Sequence, residues 1–219
     1  MLYLRELIYW VRKMARGGFD KIAKVYDGLA RMVFGKSTRQ AQLFFLNEIQ
    51  STSRVLILGG GTGWLLVHLL KIEPQCEVWY IEASSKMLEL SKEKTKHSNR
   101  VHFIHGTEND IPSKIKFDVV IASFYFDLFT DASLDSVVRK IQQGIKSDAL
   151  WLVTDFINGK KWWQRTLLKI MYLFFQITCG IESSKLPDWN QQLQRMGLVK
   201  VKSKFFFMEF IEATLYGAQ

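Results

Sequence analysis

Five short apolar runs alternate with segments of helical character between residues 54 and 156, and this alternation constrains the fold more than any other feature. The runs are RVLILG (54–59), CEVWYIEA (76–83), RVHFIHG (100–106), FDVVIASF (117–124) and ALWLVTDF (149–156). Each is rich in branched and aromatic residues, as a strand buried on both faces should be. Residues 62–71, 84–97 and 131–145 read as helices. Ser84 or Ser85 is placed to cap the second of these, and Asp131 or Ser133 stands near the start of the third. Such alternation predicts a parallel sheet with helices on both faces.

The flanks differ from this middle. Residues 159–181 read as one long helix and 186–197 as a shorter one, with Pro187 early and Gly197 as its stop. Residues 198–217 read as two strands joined by a turn near Met208 and Glu209. The first 50 residues look helical, in three pieces broken near Gly17–Gly18 and Gly35. At 219 residues, 48% of them hydrophobic, the chain is sized for one domain with a real core. Its expected parts are a helical cap (1–50), a ligand-binding core (51–157), and a lid helix with a C-terminal hairpin (158–219).

Composition narrows the setting. Cys76 and Cys179 are the only cysteines. They are too few and too far apart for a disulfide framework or a zinc site, and they fit a reducing compartment. The opening segment mixes Arg5, Glu6, Arg12 and Lys13 into its apolar residues, unlike a secretory signal. No stretch of about 20 residues is free of charge, so no membrane-spanning helix is expected and the cytoplasm is the default. The net charge of +9 lies in the flanks: 9 basic against 4 acidic residues in 1–50, the same in 158–219, and 12 against 13 between them. Basic flanks suit an anionic partner, which leaves a phospholipid surface, a nucleic acid and an acidic substrate open beside a plain basic surface.

The first run climbs into Gly59, Gly60 and Gly61, followed by Thr62 and Gly63. Ligands of open α/β sheets bind beyond the carboxyl ends of the strands, so this turn is the prime position. Two phosphate-binding patterns fail here. The dinucleotide fingerprint G-x-G-x-x-G/A, begun at Gly59, puts Trp64 in the third slot, where an indole is too large for close helix–strand contact. The P-loop pattern needs a Lys after its last glycine, and none follows Gly63.

What remains, a strand followed by Gly59-x-Gly61-x-Gly63 and a helix, resembles the first motif of class I S-adenosylmethionine-dependent methyltransferases. The second strand ends in Glu82, where that family has an acidic residue accepting both ribose hydroxyls; a carboxylate can take two donors at once. The stretch YIEASSKMLELSK, which holds Ala83 and Met87, is similar to the family's D-x-S-x-x-M-L segment. HGTENDIP (105–112) resembles the segment that lines adenine, with Thr107 in a slot that usually holds Asp and Glu108 beside it as a substitute. Ser123 and Phe124, at the end of the fourth strand, fall where the family holds the methionine part of the cofactor. Ile57 departs from the pattern, standing where many members carry an acidic residue. The resemblance implies a Rossmann-like α/β fold with a seven-stranded, mostly parallel sheet, its last strand antiparallel, and extra N-terminal helices. It also implies S-adenosylmethionine as cofactor, held by Tyr26, Gly59, Gly60, Gly61, Gly63 and the later residues just named.

Methyl transfer from a sulfonium releases a neutral thioether, so the protein mainly positions the partners and needs a base only when the acceptor loses a proton. The [DN]-P-P-[YF] motif is replaced by SFYF (123–126), no Pro-Cys nucleophile is present, and Asp155 is followed by Phe156 rather than by the Asn of a metal pair. No metal is expected. Residues 24–46 resemble the opening segment of quinone and phospholipid head-group methyltransferases, in which an aromatic–acidic pair, here Tyr26–Asp27, closes over the cofactor. Tyr26 is thus a candidate for shielding the sulfonium or for catalysis, and equally a packed helix residue. Asp127 and Asp155 stand at the ligand edge as candidates to orient or deprotonate an acceptor, or as structural hydrogen-bonders; His105 ends a strand at the same edge. Residues 160–180 mix Lys160, Lys161, Arg165 and Lys169 with Trp162, Trp163, Tyr172, Phe174 and Phe175. That mixture suits a membrane interface or a lid over the acceptor pocket. The expected activity is methyl transfer to a small-molecule or lipid-like acceptor, with peripheral contact to an anionic membrane. A tRNA or rRNA methyltransferase, or an inactive cofactor-binding partner protein, are the alternatives.

Overall fold

The computed structural model describes residues 2–73, 75–96, 98–159, 161–181 and 183–218, with side chains described within 18–217. The chain opens with α1 (Leu2–Phe34) and α2 (Ser37–Leu43). There follow β1 (Arg54–Leu58), α3 (Trp64–Ile72), β2 (Glu77–Glu82), α4 (Ser85–Lys94) and β3 (Val101–His105). Then come β4 (Phe117–Ser123), α5 (Asp131–Gly144), β5 (Ile145–Phe156), α6 (Trp162–Cys179), α7 (Trp189–Arg195), β6 (Leu198–Phe206) and β7 (Ile211–Ala218). The strands form one sheet in the order β3-β2-β1-β4-β5-β7-β6. β1 to β5 run parallel, β7 is antiparallel to β5, and β6 is antiparallel to β7. The last strand therefore opposes the rest, as the C-terminal hairpin predicts.

The apolar runs are continuous because both faces of the sheet are covered. Val55 and Ile57 of β1 join one core with Val78 and Tyr80 of β2 and Val119 and Ile121 of β4, closed by Leu65 and Leu69 of α3 and Leu168 of α6. Leu56 and Leu58 enter the opposite core with Trp79, Ile81, Val120 and Ala122. That side is closed by Leu134, Val138 and Ile141 of α5 and by Trp189 and Leu193 of α7. The buried Trp189 indole donates to the Phe156 carbonyl at 2.7 Å, so its polar edge stays satisfied.

Local chemistry sets the helix starts. Ser84 caps α4 by accepting the Met87 N–H at 3.1 Å. Asp131 and Ser133 stand in the first turn of α5, as expected; Thr130 caps it, and the Ser133 side chain answers from the third helical position. Two expectations need correction. α1 does not break at Gly17–Gly18: it crosses the end of α6 at Gly18, where a Cβ would collide with the Cys179 backbone. The glycine there permits a close helix approach. The break falls at Gly35, so the first 50 residues form two helices and a short 3-10 turn at Leu46–Glu48. β5 also starts at Ile145, before its apolar run, because Lys146, Ser147 and Asp148 are exposed and leave no hydrophobic signal. Among the described residues, no helix is long and apolar enough to cross a membrane.

Candidate active site

The site begins where β1 runs out. Gly59, Gly61 and Gly63 all hold positive φ, at 59°, 64° and 80°. At Gly63, the residue before α3, a Cβ would stand 2.6 Å from Ser91 Cβ on α4, so the loop can lie this close to its neighbour only without a side chain. At Gly61 a Cβ would meet nothing within 4 Å; it would project into open space. The turn is tied to the end of β2 from both sides. The Gly61 N–H donates to Glu82 Oε2 at 2.8 Å, and the Tyr80 hydroxyl donates to the Gly61 carbonyl at 2.8 Å.

Glu82 is buried, and its second oxygen accepts the Ser84 N–H at 2.7 Å. Burial pushes its carboxyl pKa up, and the backbone amides of Ser84 and Gly61 oppose that rise. A carboxylate offers about four acceptor positions, and these two amides take one on each oxygen. The Ala83 amide lowers the Glu82 pKa as well, and the carboxylate lines the cavity beside these amides.

α1 lies across the turn and is fastened there by two carboxylates. Asp20 accepts from the Ser84 and Ser85 hydroxyls and from the Lys86 N–H, at the start of α4. Asp27 accepts from the Thr62 hydroxyl at 2.8 Å and pairs with Lys94 at 3.4 Å. Tyr26 sits between them, its ring 6.5 Å from those of Phe19 and Phe175. Burial raises the Tyr26 hydroxyl pKa, and Asp127, Asp27 and Glu82 add to that rise. Trp64, the first residue of α3, lies under the Arg39 guanidinium at 4.7 Å.

The loops after β3 and β4 form the opposite wall. Thr107 accepts the Asn109 N–H and caps a 3-10 turn (Glu108–Asp110). Glu108 is buried and accepts from the Tyr125 hydroxyl at 2.9 Å and the Asn109 amide at 2.9 Å, so it holds both neighbours in place. Phe124, the residue after β4, has φ 52°, a costly conformation for an aromatic residue, fixed by its N–H donating to the Thr154 carbonyl at 2.7 Å. Beyond it, Asp155 is fully buried and accepts the Phe126, Asp127 and Phe156 N–H groups. Asp127 is buried too, but its Oδ1 has no hydrogen-bond partner among the described residues. Burial pushes the Asp127 carboxyl up to about 7 and Asp155 well above the usual carboxylate range, each near the other.

These walls enclose a cavity of about 810 Å³, a size suited to a small-molecule site. Tyr26, Gly59, Gly60, Gly61, Glu82, Ala83, Met87, Thr107, Glu108, Ser123, Phe124 and Asp127 all line it. Gly63 and Asp155 do not. Gly63 acts through its packing on α4, and Asp155 through the backbone it orders under Asp127. His105 is outside as well, its ring within hydrogen-bond distance of the Ala83 carbonyl.

Residues 55–148 match the family described as Methyltransferase domain. Over this stretch, which is less than half of the chain, the protein is similar to methyltransferase domains. It is 26% identical over 148 residues to a malonyl-[acyl-carrier protein] O-methyltransferase of Priestia megaterium, covering 68% of this chain and 53% of that one. It is 29% identical over 150 residues to a demethylmenaquinone methyltransferase of Thermotoga maritima, covering 67% and 63%. The chain thus spans about half to two thirds of the length of these curated relatives. In fold it is similar to the 1,6-didemethyltoxoflavin-N1-methyltransferase of Burkholderia thailandensis, solved with its substrate and S-adenosylhomocysteine. The TM-score is 0.67 at 11% identity, with 92% of this chain and 87% of that one covered. A methyltransferase structure from Aquifex aeolicus gives 0.63 at 15% identity, covering 91% and 98%.

Further wall residues come from the helices read in the sequence as a cap and a lid, and of these only Phe174 and Phe175 were singled out there. α6 lends Leu167, Ile170, Met171, Phe174 and Phe175 to the cavity, and α1 lends Leu29 and Val33. Tyr172 reaches under them and donates its hydroxyl to the Asp127 carbonyl at 2.9 Å, anchoring α6 to the loop after β4. Asp20, which fixes α1 over the site, finds its partners 64 to 66 residues away. Lys160, one of the basic residues expected near this wall, lies outside the described residues.

Proposed function

We propose that this protein transfers a methyl group from S-adenosylmethionine to a hydroxyl or amine of a lipid-like acceptor. The observation that carries the proposal is the cavity's two-sided character. One side is the Gly61–Glu82 pair, with an open cradle and a carboxylate lining it. The other is the apolar wall of α1 and α6. The residues present fit the cofactor: the empty space above Gly61 leaves room for a ligand against the backbone, and Glu82 suits a pair of ribose hydroxyls. Ala83, Met87, Thr107 and Glu108 extend that side toward the adenine end, and Ser123 and Phe124 toward the methionine end. When bound, the cofactor supplies a methyl group on a positively charged sulfur.

The chain's own residues then have three tasks. The apolar wall excludes water and holds the acceptor's hydrocarbon part. Tyr26 presents an aromatic ring to a cationic centre. Asp127 takes the proton that a hydroxyl or amine releases on methylation; its unpartnered oxygen and raised pKa suit a base working near neutrality. Asp155 is its positioning residue, ordering the Phe126–Asp127 backbone.

The test is transfer from methyl-labelled S-adenosylmethionine into a fractionated cell extract. Label in the organic-extractable fraction is the expected result. Label confined to RNA or to protein would overturn the proposed acceptor class.

A further inference from the structure

We propose that α1 and α6 dock this protein on an anionic bilayer with the cavity mouth facing the lipid; this rests on the reading of the acceptor as lipid-like. Each helix leaves an apolar stripe exposed. On α1 it is Val25, Leu29, Met32 and Val33, at helical spacings of 4, 7 and 8 residues from the first, with Met32 82% exposed. On α6 it is Ile170, Leu173, Phe174 and Ile177, with Ile177 72% exposed. The helices pack together, Phe19 lying 5.9 Å from Phe175. Leu29 and Val33 from one stripe, and Ile170 and Phe174 from the other, also line the cavity, so the stripes meet at its mouth. Single exposed apolar residues are ordinary; eight on two adjoining helices around one opening mark an interaction surface.

Charge selects the occupant. α6 contains Arg165 and Lys169, both exposed, and no acidic residue. The described part of α1 exposes Lys21, Lys24 and Arg31, while its two carboxylates, Asp20 and Asp27, are engaged by Ser84 and Thr62. Trp162, 78% exposed at the start of α6, is a residue type favoured at the membrane–water interface. An apolar stripe flanked by exposed cations matches the interfacial helices that lie in a bilayer surface.

The experiment is flotation with vesicles of equal phosphatidylglycerol and phosphatidylcholine, and with phosphatidylcholine alone. The wild type should float with the first and be released by salt, and should not float with the second. The triple variant Met32→Glu, Leu173→Glu, Ile177→Glu should bind about tenfold less, and Arg165→Glu with Lys169→Glu should show a loss of similar order. None of these five residues lines the cavity, so calorimetric binding of S-adenosylhomocysteine should be unchanged in both variants, which also verifies folding. If the triple variant misfolds, the charge variant decides alone. Absence of wild-type flotation, or full binding by the folded variants, would overturn the proposal. So would a dimer abolished by the triple variant without vesicle binding, since a second copy would then cover the stripes. Flotation without S-adenosylhomocysteine binding would keep the docking face and overturn the methyltransferase reading instead.

Discussion

Glu82 braces the glycine turn through the Gly61 N–H and lines the cavity. Glu82→Gln keeps the shape and removes the charge. Calorimetry should show S-adenosylhomocysteine affinity falling about tenfold to a hundredfold, the worth of a charged hydrogen bond; an unchanged affinity would remove Glu82 from the cofactor site. Asp127 makes a different prediction. Its pKa is raised from an ordinary 3.8 to about 7, so between those values the folded protein binds a proton that the unfolded chain does not. Stability from this group is full below the ordinary carboxylate range and is lost as pH rises through about 7. Asp155 and Glu82 are shifted in the same direction. Urea unfolding across this interval should therefore show a shallower fall in Asp127→Asn than in the wild type; equal slopes would mean that Asp127 titrates normally. In turnover, Asp127→Asn should lower kcat about a hundredfold or more while cofactor affinity holds. Glu82 was legible in the sequence because it ends the strand after the glycine turn, where the family that this stretch resembles carries an acidic residue. Asp155 was placed at the ligand edge but not inside its backbone cage, because that cage is made by a loop 28 and 29 residues away.

At the scale of elements, the strands were legible because burial on both faces writes itself as unbroken apolar runs. The extension of β5 to Ile145 was not, because an exposed strand end carries no such mark. Glycine was ambiguous for a physical reason: it serves turns and close approaches alike. Gly35 ends a helix, Gly18 admits a neighbouring one, and sequence cannot separate the two. The glycine turn offers a graded test. Gly61→Ala adds a methyl group to open space at positive φ and should cost about 1–2 kcal/mol in urea unfolding. Gly63→Ala meets the same backbone strain and Ser91 as well, so it should cost more. The reverse order would mean that the turn is not held against α4 as described.

The whole molecule divides its labour between halves of different legibility. The sheet and its glycine turn follow from local pattern, and a cofactor class follows from the family resemblance that the turn carries. The apolar wall of the cavity, the side proposed for the acceptor, is assembled from α1 and α6, which meet only in three dimensions. We take both halves as one folding unit, since α1 is fastened to α4 through Asp20 and α6 to the loop after β4 through Tyr172. Thermal unfolding should then show a single transition, whereas two separated transitions would make the cap an independent part. The central claim is the identity of the ligand over Gly61. Titration calorimetry of the wild-type protein with S-adenosylhomocysteine, NAD and ATP in parallel tests it most directly. One-to-one binding of S-adenosylhomocysteine with no heat from the other two is the predicted result; no binding of S-adenosylhomocysteine, or saturable binding of NAD or ATP in its place, would contradict it.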